Sequence, residues 1–349
     1  MTQGEILAPA VSDLAGAPST NWLLQTLRLA RWLLYTVRRR AMGKVIFGLL
    51  VGGLLLVVAI QVLVYIIALN STPSGQTCTG SPDGGPPVCQ PLTMSPDQVH
   101  AMQQAAAKGV AMGMTFPQSL TVVEVLVSLI GVIVLTTLAG AVVGGEYGHG
   151  TVRVQLSRGV GRAQLIAAEA LALAALSLIA TGVLMLIGIL VGFTLGPALG
   201  GTLPAFASGA PVELLMTWLA LSLNLFGYCA IALFFATLGR STAAGIGFAL
   251  GFFVAESVLG GILTGISFIF QQTQPNTAEF IRHIPDWFLG NNVGYIVQHA
   301  SLSPLAISPA GDQGSAPFDM THALLVTLLY LVLTIGGSYL LTRKRDITD

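Results

Sequence analysis

Residues 45–69 read VIFGLLVGGLLLVVAIQVLVYIIAL, twenty-five positions without an Asp, Glu, Lys or Arg. A helix rises about 1.5 Å per residue, so about 20 apolar residues cross a hydrocarbon core of about 30 Å. The run exceeds the roughly 7–15 apolar residues of a secretory signal, so it is expected to remain as a membrane span. Five more runs follow at 119–143, 163–195, 212–238, 241–270 and 321–341. Backbone polar groups in lipid must be satisfied within the segment, which makes each run a helix. The third and fifth are long enough to tilt, break or project beyond the bilayer.

Composition agrees. Of 349 residues, 54% are hydrophobic and 9% charged, whereas soluble domains carry about 25% charged residues. The net charge is zero, so bulk charge points to no nucleic-acid partner. Counted along the chain, the basic residues are asymmetric. Arg28, Arg31, Arg38, Arg39, Arg40, Lys44, Arg153, Arg158, Arg162, Arg240, Arg343, Lys344 and Arg345 fall on one alternating face, and only Lys108 and Arg282 on the other. The positive-inside rule then places both termini in the cytoplasm. The expected fold is an all-α membrane protein with six transmembrane helices. An N-terminal tail, 1–20, reads as disordered, and 21–349 reads as one transmembrane domain.

Before the first span, Asn21 is a good N-cap for a helix from Trp22 to about Arg40. Gln25, Arg28, Arg31, Tyr35 and Arg38 recur every three to four residues, and Trp22, Leu23, Leu27, Ala30, Leu33, Leu34 and Val37 fill much of the rest, the pattern of an amphipathic helix lying in the membrane interface. Between spans two and three the chain reads GEYGHGTVRVQLSRGVGR, residues 145–162. Gly148 and Gly150 allow a tight turn. Thr151 is expected to cap a short helix through Leu156. Val152, Val154 and Leu156 beside Arg153 and Arg158 make it a mixed apolar and basic knob. Glu146 is placed to reach basic groups or that helix's N-terminus.

This stretch resembles the Glu-x-x-x-Gly-Thr, then Leu-Ser-x-x-x-x-Arg, pattern of the ABC transporter type-two permease superfamily. It is carried here by Glu146, Gly150, Thr151, Leu156, Ser157 and Arg162. The last span followed by Arg343, Lys344, Arg345 and Asp346 is similar to the same family. Two positions depart from it: Gly159 stands where the family often has Pro, and Glu169 near where it often has Lys. The resemblance implies that 21–40 is an elbow helix. It also implies that Glu146, Gly150, Thr151, Val152, Arg153, Leu156, Arg158 and Arg162 form a coupling helix and its supports, docking into an ABC-type ATPase subunit. It further implies a second permease subunit, identical or different, and a bacterial-type inner membrane. Export is favoured over import, since no dock for a periplasmic binding protein is evident.

The chain itself carries no phosphate-binding loop. Of Lys44, Lys108 and Lys344, only Lys44 follows a glycine, and it precedes Val45 instead of Ser or Thr. ATP and Mg would therefore sit on the partner, and no cofactor or catalytic residue is expected here. Glu256 in span five is costly in lipid, so it either lines a translocation path near a break at Gly260–Gly261 or makes a buried interhelical hydrogen bond. Asn224 is similarly ambiguous. Glu169 is expected to pair with Arg162 or another interfacial cation. A proton-coupled secondary transporter acting through Glu256 and a non-transporting scaffold are the rival readings. Gly140 with Gly144 and Gly247 with Gly251 are small-residue pairs suited to close helix packing.

On the outer side, Cys78 and Cys89 share one polar loop and are a candidate disulfide. Ser95-Pro96-Asp97 starts a helix running to about Met112. Met94, His100, Met102, Met112 and Met114 are compatible with a soft metal, but methionine is also an adaptable packing residue, and no Cys/His set resembles a zinc site. Residues 279–298, with Trp287, Phe288 and Tyr295, read as an outer interfacial helix or a re-entrant piece. By resemblance such a piece caps the translocation path.

Overall fold

The computed structural model describes residues 22–39, 41–71, 76–79, 88–91, 95–157, 159–201, 209–301 and 319–344, with the backbone alone for 76–79 and 88–91. The N-terminal tail, the Asn21 cap, Arg158, Met94 and the side chains of Cys78 and Cys89 lie outside the described residues.

The protein is helical, with six helices long and apolar enough to span a membrane. They are α2 (Ala41–Asn70), the pair α4 (Ser119–Leu126) and α5 (Val132–Gly148), α7 (Arg162–Ala198), α8 (Ala210–Gly239), α9 (Thr242–Phe270) and α12 (Met320–Lys344). Beyond the expected helices there is, among the described residues, one short antiparallel ladder in the loop after α2, 76–79 with 88–91, whose register sets Cys78 opposite Cys89. The second span differs from expectation in two ways. It is interrupted by one π turn, Val127–Gly131, and it continues past 143 to Gly148.

Helix α8 is the centre of the bundle. Of its apolar window 72% is buried, against 11% for α2 and α9. Its small residues, among them Ala220, Gly227, Ala230, Ala232 and Ala236, let α5, α7, α9, α11 and α12 approach it. A close backbone approach joins α5 and α9. A Cβ on Gly140 would lie 2.8 Å from the carbonyl carbon of Gly245, and one on Gly144 would lie 2.6 Å from Thr242 Cα. The pair Gly140 and Gly144 is therefore an internal seam. Gly247 and Gly251 face open space instead. A second seam joins α7 to the chain before and within α4: a Cβ on Gly196 would meet Thr115 Cα at 2.7 Å, and Phe116 N–H donates to Gly192 O at 3.3 Å.

The turn from α8 to α9 needs only two residues. Arg240 takes a left-handed φ of 48°, and Ser241 caps α9 by accepting from Ala244 N–H at 3.1 Å. Helix α1 (Trp22–Arg39) lies against the start of α7. Ala30 and Leu33 pack on Ala168 and Ala172, and Gln164 Nε2 donates to Gln25 Oε1 at 3.0 Å. Its opposite face exposes Trp22, Leu23, Leu27 and Trp32 together with Arg28 and Arg31, the mixture expected of an interfacial helix.

At the other end, α3 (Pro96–Gly113) begins as expected. Ser95 Oγ accepts from Gln98 N–H at 3.3 Å, and Gln98 Oε1 accepts from Ser95 N–H at 3.0 Å. The segment before the last span folds as a hairpin: α10 (Pro275–His283), one 3-10 turn (Ile284–Trp287) and α11 (Leu289–Ala300). Helix α10 returns along α9, and Leu289 packs on Gly227 of α8. Of the two forms expected for 279–298, this is the re-entrant one.

Candidate functional site

Two features stand out, one at each end of the bundle. At the basic end the chain leaves α5 through His149, whose Nδ1 lies 2.6 Å from Gly145 O. Gly150 then turns with φ +68°, a left-handed value open to glycine. This turn launches α6 (Thr151–Ser157). Thr151 does not cap the helix as expected. It is the first helical residue, and its hydroxyl donates to Glu146 O at 2.9 Å, tying α6 back to α5. Gly159 ends the unit with φ +88°, its N–H donating to Leu156 O at 3.1 Å. Proline is fixed near −65° and cannot adopt this turn, which accounts for the departure at this position.

Helix α6 turns Val152 inward, at 5% exposure, while Val154 is 50% exposed and Thr151 and Arg153 are exposed beside it. Leu156 is half-buried. The outward apolar residue is thus Val154, and Val152 anchors the knob. Both are apolar and two positions apart, so the pattern alone did not rank them. The phase is set by the Thr151–Glu146 bond.

The Glu146 side chain is buried. It lines a cavity of about 20 Å³ with Glu169 of α7 and with Leu33, Leu34 and Val37 of α1. The expected pairing of Glu169 with Arg162 is not found. Arg162 instead donates from Nη1 to the carbonyls of Thr342 at 3.2 Å and Arg343 at 2.7 Å. Both carbonyls belong to the last described turn of α12. Arg162 therefore fastens α7 to α12, and Glu169 stays two turns away under α1.

At the opposite end, the re-entrant hairpin is pinned to four spans. Tyr330 Oη donates to Trp287 O at 3.2 Å, and His322 Nε2 lies 3.1 Å from Asp286 O. Asp286 Oδ2 is 2.7 Å from His283 Nδ1. Thr217 Oγ1 donates to Ala300 O at 2.7 Å, and Ser301 Oγ donates to Glu124. Glu256 sits at the hairpin's inner end. Its Oε2 accepts from Tyr228 Oη at 2.9 Å, its Oε1 is buried without a hydrogen-bond partner, and the carboxyl group lies against Gly290 at the start of α11. There is no break at Gly260–Gly261: α9 runs unbroken, because the hairpin packs alongside the helix without entering it.

Asn224 is also buried between helices, with Nδ2 3.4 Å from Ser128 Oγ in the π turn. Tyr228, Gly290, Tyr330 and His322 were not singled out from the sequence. Their one signal there is polarity or smallness inside apolar segments. Among the described residues, no group of three or more His, Cys, Asp or Glu side chains is placed to hold a metal ion.

Six spans, an elbow-like α1, a glycine-bounded knob and a re-entrant hairpin before the last span form a recognisable set. A family model described as ABC-2 family transporter protein matches residues 89–347, well over half of the chain. The chain belongs to the ABC-2 transporter family. It is thus an ABC transporter permease: the membrane-embedded component and not the ATPase, in a family whose permeases associate with an ABC ATPase subunit. No curated protein and no solved structure matches it. The matched region of this ABC-2 permease contains both the α6 knob and the hairpin.

Proposed function

We propose that this ABC-2 permease is an exporter. Two permease chains would enclose the pathway, and separate ATP-binding subunits would drive it by pressing on α6. The basic end then faces the cytoplasm, in agreement with the positive-inside rule. The observation that carries the reading is α6 itself. It is a rigid seven-residue knob, bounded by left-handed Gly150 and Gly159, that offers Arg153 and exposed Val154 beyond the ends of the spans. An apolar residue flanked by arginine suits a shallow groove with an acidic rim. Helix α9 offers a place for the second permease, because no atom lies beside Gly247, Gly251, Gly261 or Gly265.

The test is site-directed cross-linking in native membranes. A cysteine at Val154 should capture an ATP-binding subunit, and one at Val152 should not, since that side chain is turned inward. If neither Val154 nor Arg153 captures such a subunit, coupling through α6 is wrong, and a scaffold role becomes the better reading. ATP dependence of transport in vesicles separates this reading from a proton-driven carrier.

The outer loop carries a smaller proposal. Cys78 and Cys89 are directly opposed in the ladder, so we expect them to be joined. Mass spectrometry of the unreduced peptide should show a loss of two hydrogens. Two free thiols in freshly prepared protein would rule the bond out.

A further inference from the structure

We infer that Glu256 is a positioning residue: with Tyr228 and Gly290 it forms a latch that holds the re-entrant helix α11 in its seat, and the latch opens during the transport cycle. The opening step rests on the transporter reading above, whereas the latch itself does not.

A helix N-terminus leaves its first amides without partners. For α11 those amides lie at the level of Gly227, Tyr228 and Glu256, mid-way along α8 and α9, where lipid supplies no hydrogen-bonding partner. The local chain does not satisfy them. The cap position is Phe288, which has no side-chain acceptor. The two neighbouring asparagines act as donors: Asn291 to Pro285 O at 3.0 Å, and Asn292 to Asp286 O and Phe288 O, each at 2.7 Å. A carboxyl group from another span lies against this end of α11: Glu256, whose Oε2 is fixed by Tyr228 and whose buried Oε1 has no other partner, beside Gly290. A carboxyl group at this end of a helix is also favoured by the helix dipole.

Gly290 is required for this approach. A Cβ there would lie 2.7 Å from Tyr228 Oη and 3.4 Å from Glu256 Oε2. The latch therefore uses one residue from each of α8, α9 and α11, and it is buried, with Glu256 at 8% exposure. Tyr330 of α12, donating to Trp287 O at 3.2 Å, steadies the same inner turn from a third span.

The test is hydrogen exchange of the amides at 289–292 in full-length permease held in lipid nanodiscs. Glu256→Ala should speed exchange there by about fivefold, the effect of losing one helix cap, with α8 unchanged. Tyr228→Phe should give a smaller rise. Glu256→Gln, which keeps an acceptor oxygen, should restore most of the protection. If Glu256→Ala does not fold, Gly290→Ala addresses the same contact from the other side and should also speed exchange. Unchanged exchange in the folded variants overturns the latch.

The opening step is read in the complex with its ATP-binding subunit. ATP turnover should speed exchange at 289–292 in the wild type and add nothing in Glu256→Ala. No response to turnover in the wild type overturns the opening step alone. Failure to obtain any such complex counts against the proposed function and leaves the latch result standing.

Discussion

Gly144→Leu will destabilise the folded permease by about 3 kcal/mol or more, read as a lowered thermal midpoint in detergent. A Cβ at this position meets backbone, 2.6 Å from both Thr242 N and Thr242 Cα, and backbone cannot rotate away as a side chain can. Inserting extra methylenes into a tightly packed seam costs about 1–3 kcal/mol, and leucine adds a whole branched side chain against backbone. Gly247→Leu is the control. It has the same chemistry on α9 but open space around it, so the stability of a single chain should change by less than about 0.5 kcal/mol. If the two variants melt alike, the seam between α5 and α9 is not as described. If Gly247→Leu instead separates paired permease chains without lowering the midpoint, the open face of α9 is where they meet.

Val154→Glu will leave the fold intact and lose the motor. Val154 is half exposed, and substitutions at such sites alter stability by about 0.5 kcal/mol or less. In the proposed contact the new carboxylate loses its water and meets the acidic rim of the groove. That costs about 2 kcal/mol of association, or roughly thirtyfold in affinity. Co-purification of the ATP-binding subunit, quantified against a wild-type preparation, measures this. Full retention would show that the subunit grips another part of the permease, with α1 the next surface to examine.

The spans were legible because lipid imposes a simple demand, about 20 apolar residues each. Their ends were less so. The chain from 144 to 148 is rich in glycine and carries Glu146, which reads as a turn. In the fold, Gly144, Gly145 and Glu146 are buried, and the helix persists to Gly148. The knob was legible from its glycines, but its orientation was not. One bond from Thr151 to a main-chain carbonyl sets which valine faces out. The polar residues inside the membrane were visible as exceptions, yet their partners were hidden. Asn224 meets Ser128 ninety-six positions away, and Glu256 meets Tyr228 twenty-eight positions away. No local pattern links such pairs. Glu169 shows the opposite failure: the nearby Arg162 was a plausible partner by sequence distance, but it serves the carbonyls of the last helix.

The glycine weld between α5 and α9 has a mechanical consequence. One rod ends in the α6 knob at the basic end of the bundle, and the other carries the Glu256 carboxyl group beside the hairpin. Fused at Gly140, Gly144 and Gly245, they should swing as a single lever. Glu256 lies fourteen residues beyond Thr242, an arm of about 20 Å. A tilt of about 10° at the fulcrum would carry that carboxyl group roughly 3–4 Å, further than the hydrogen bond it makes can stretch.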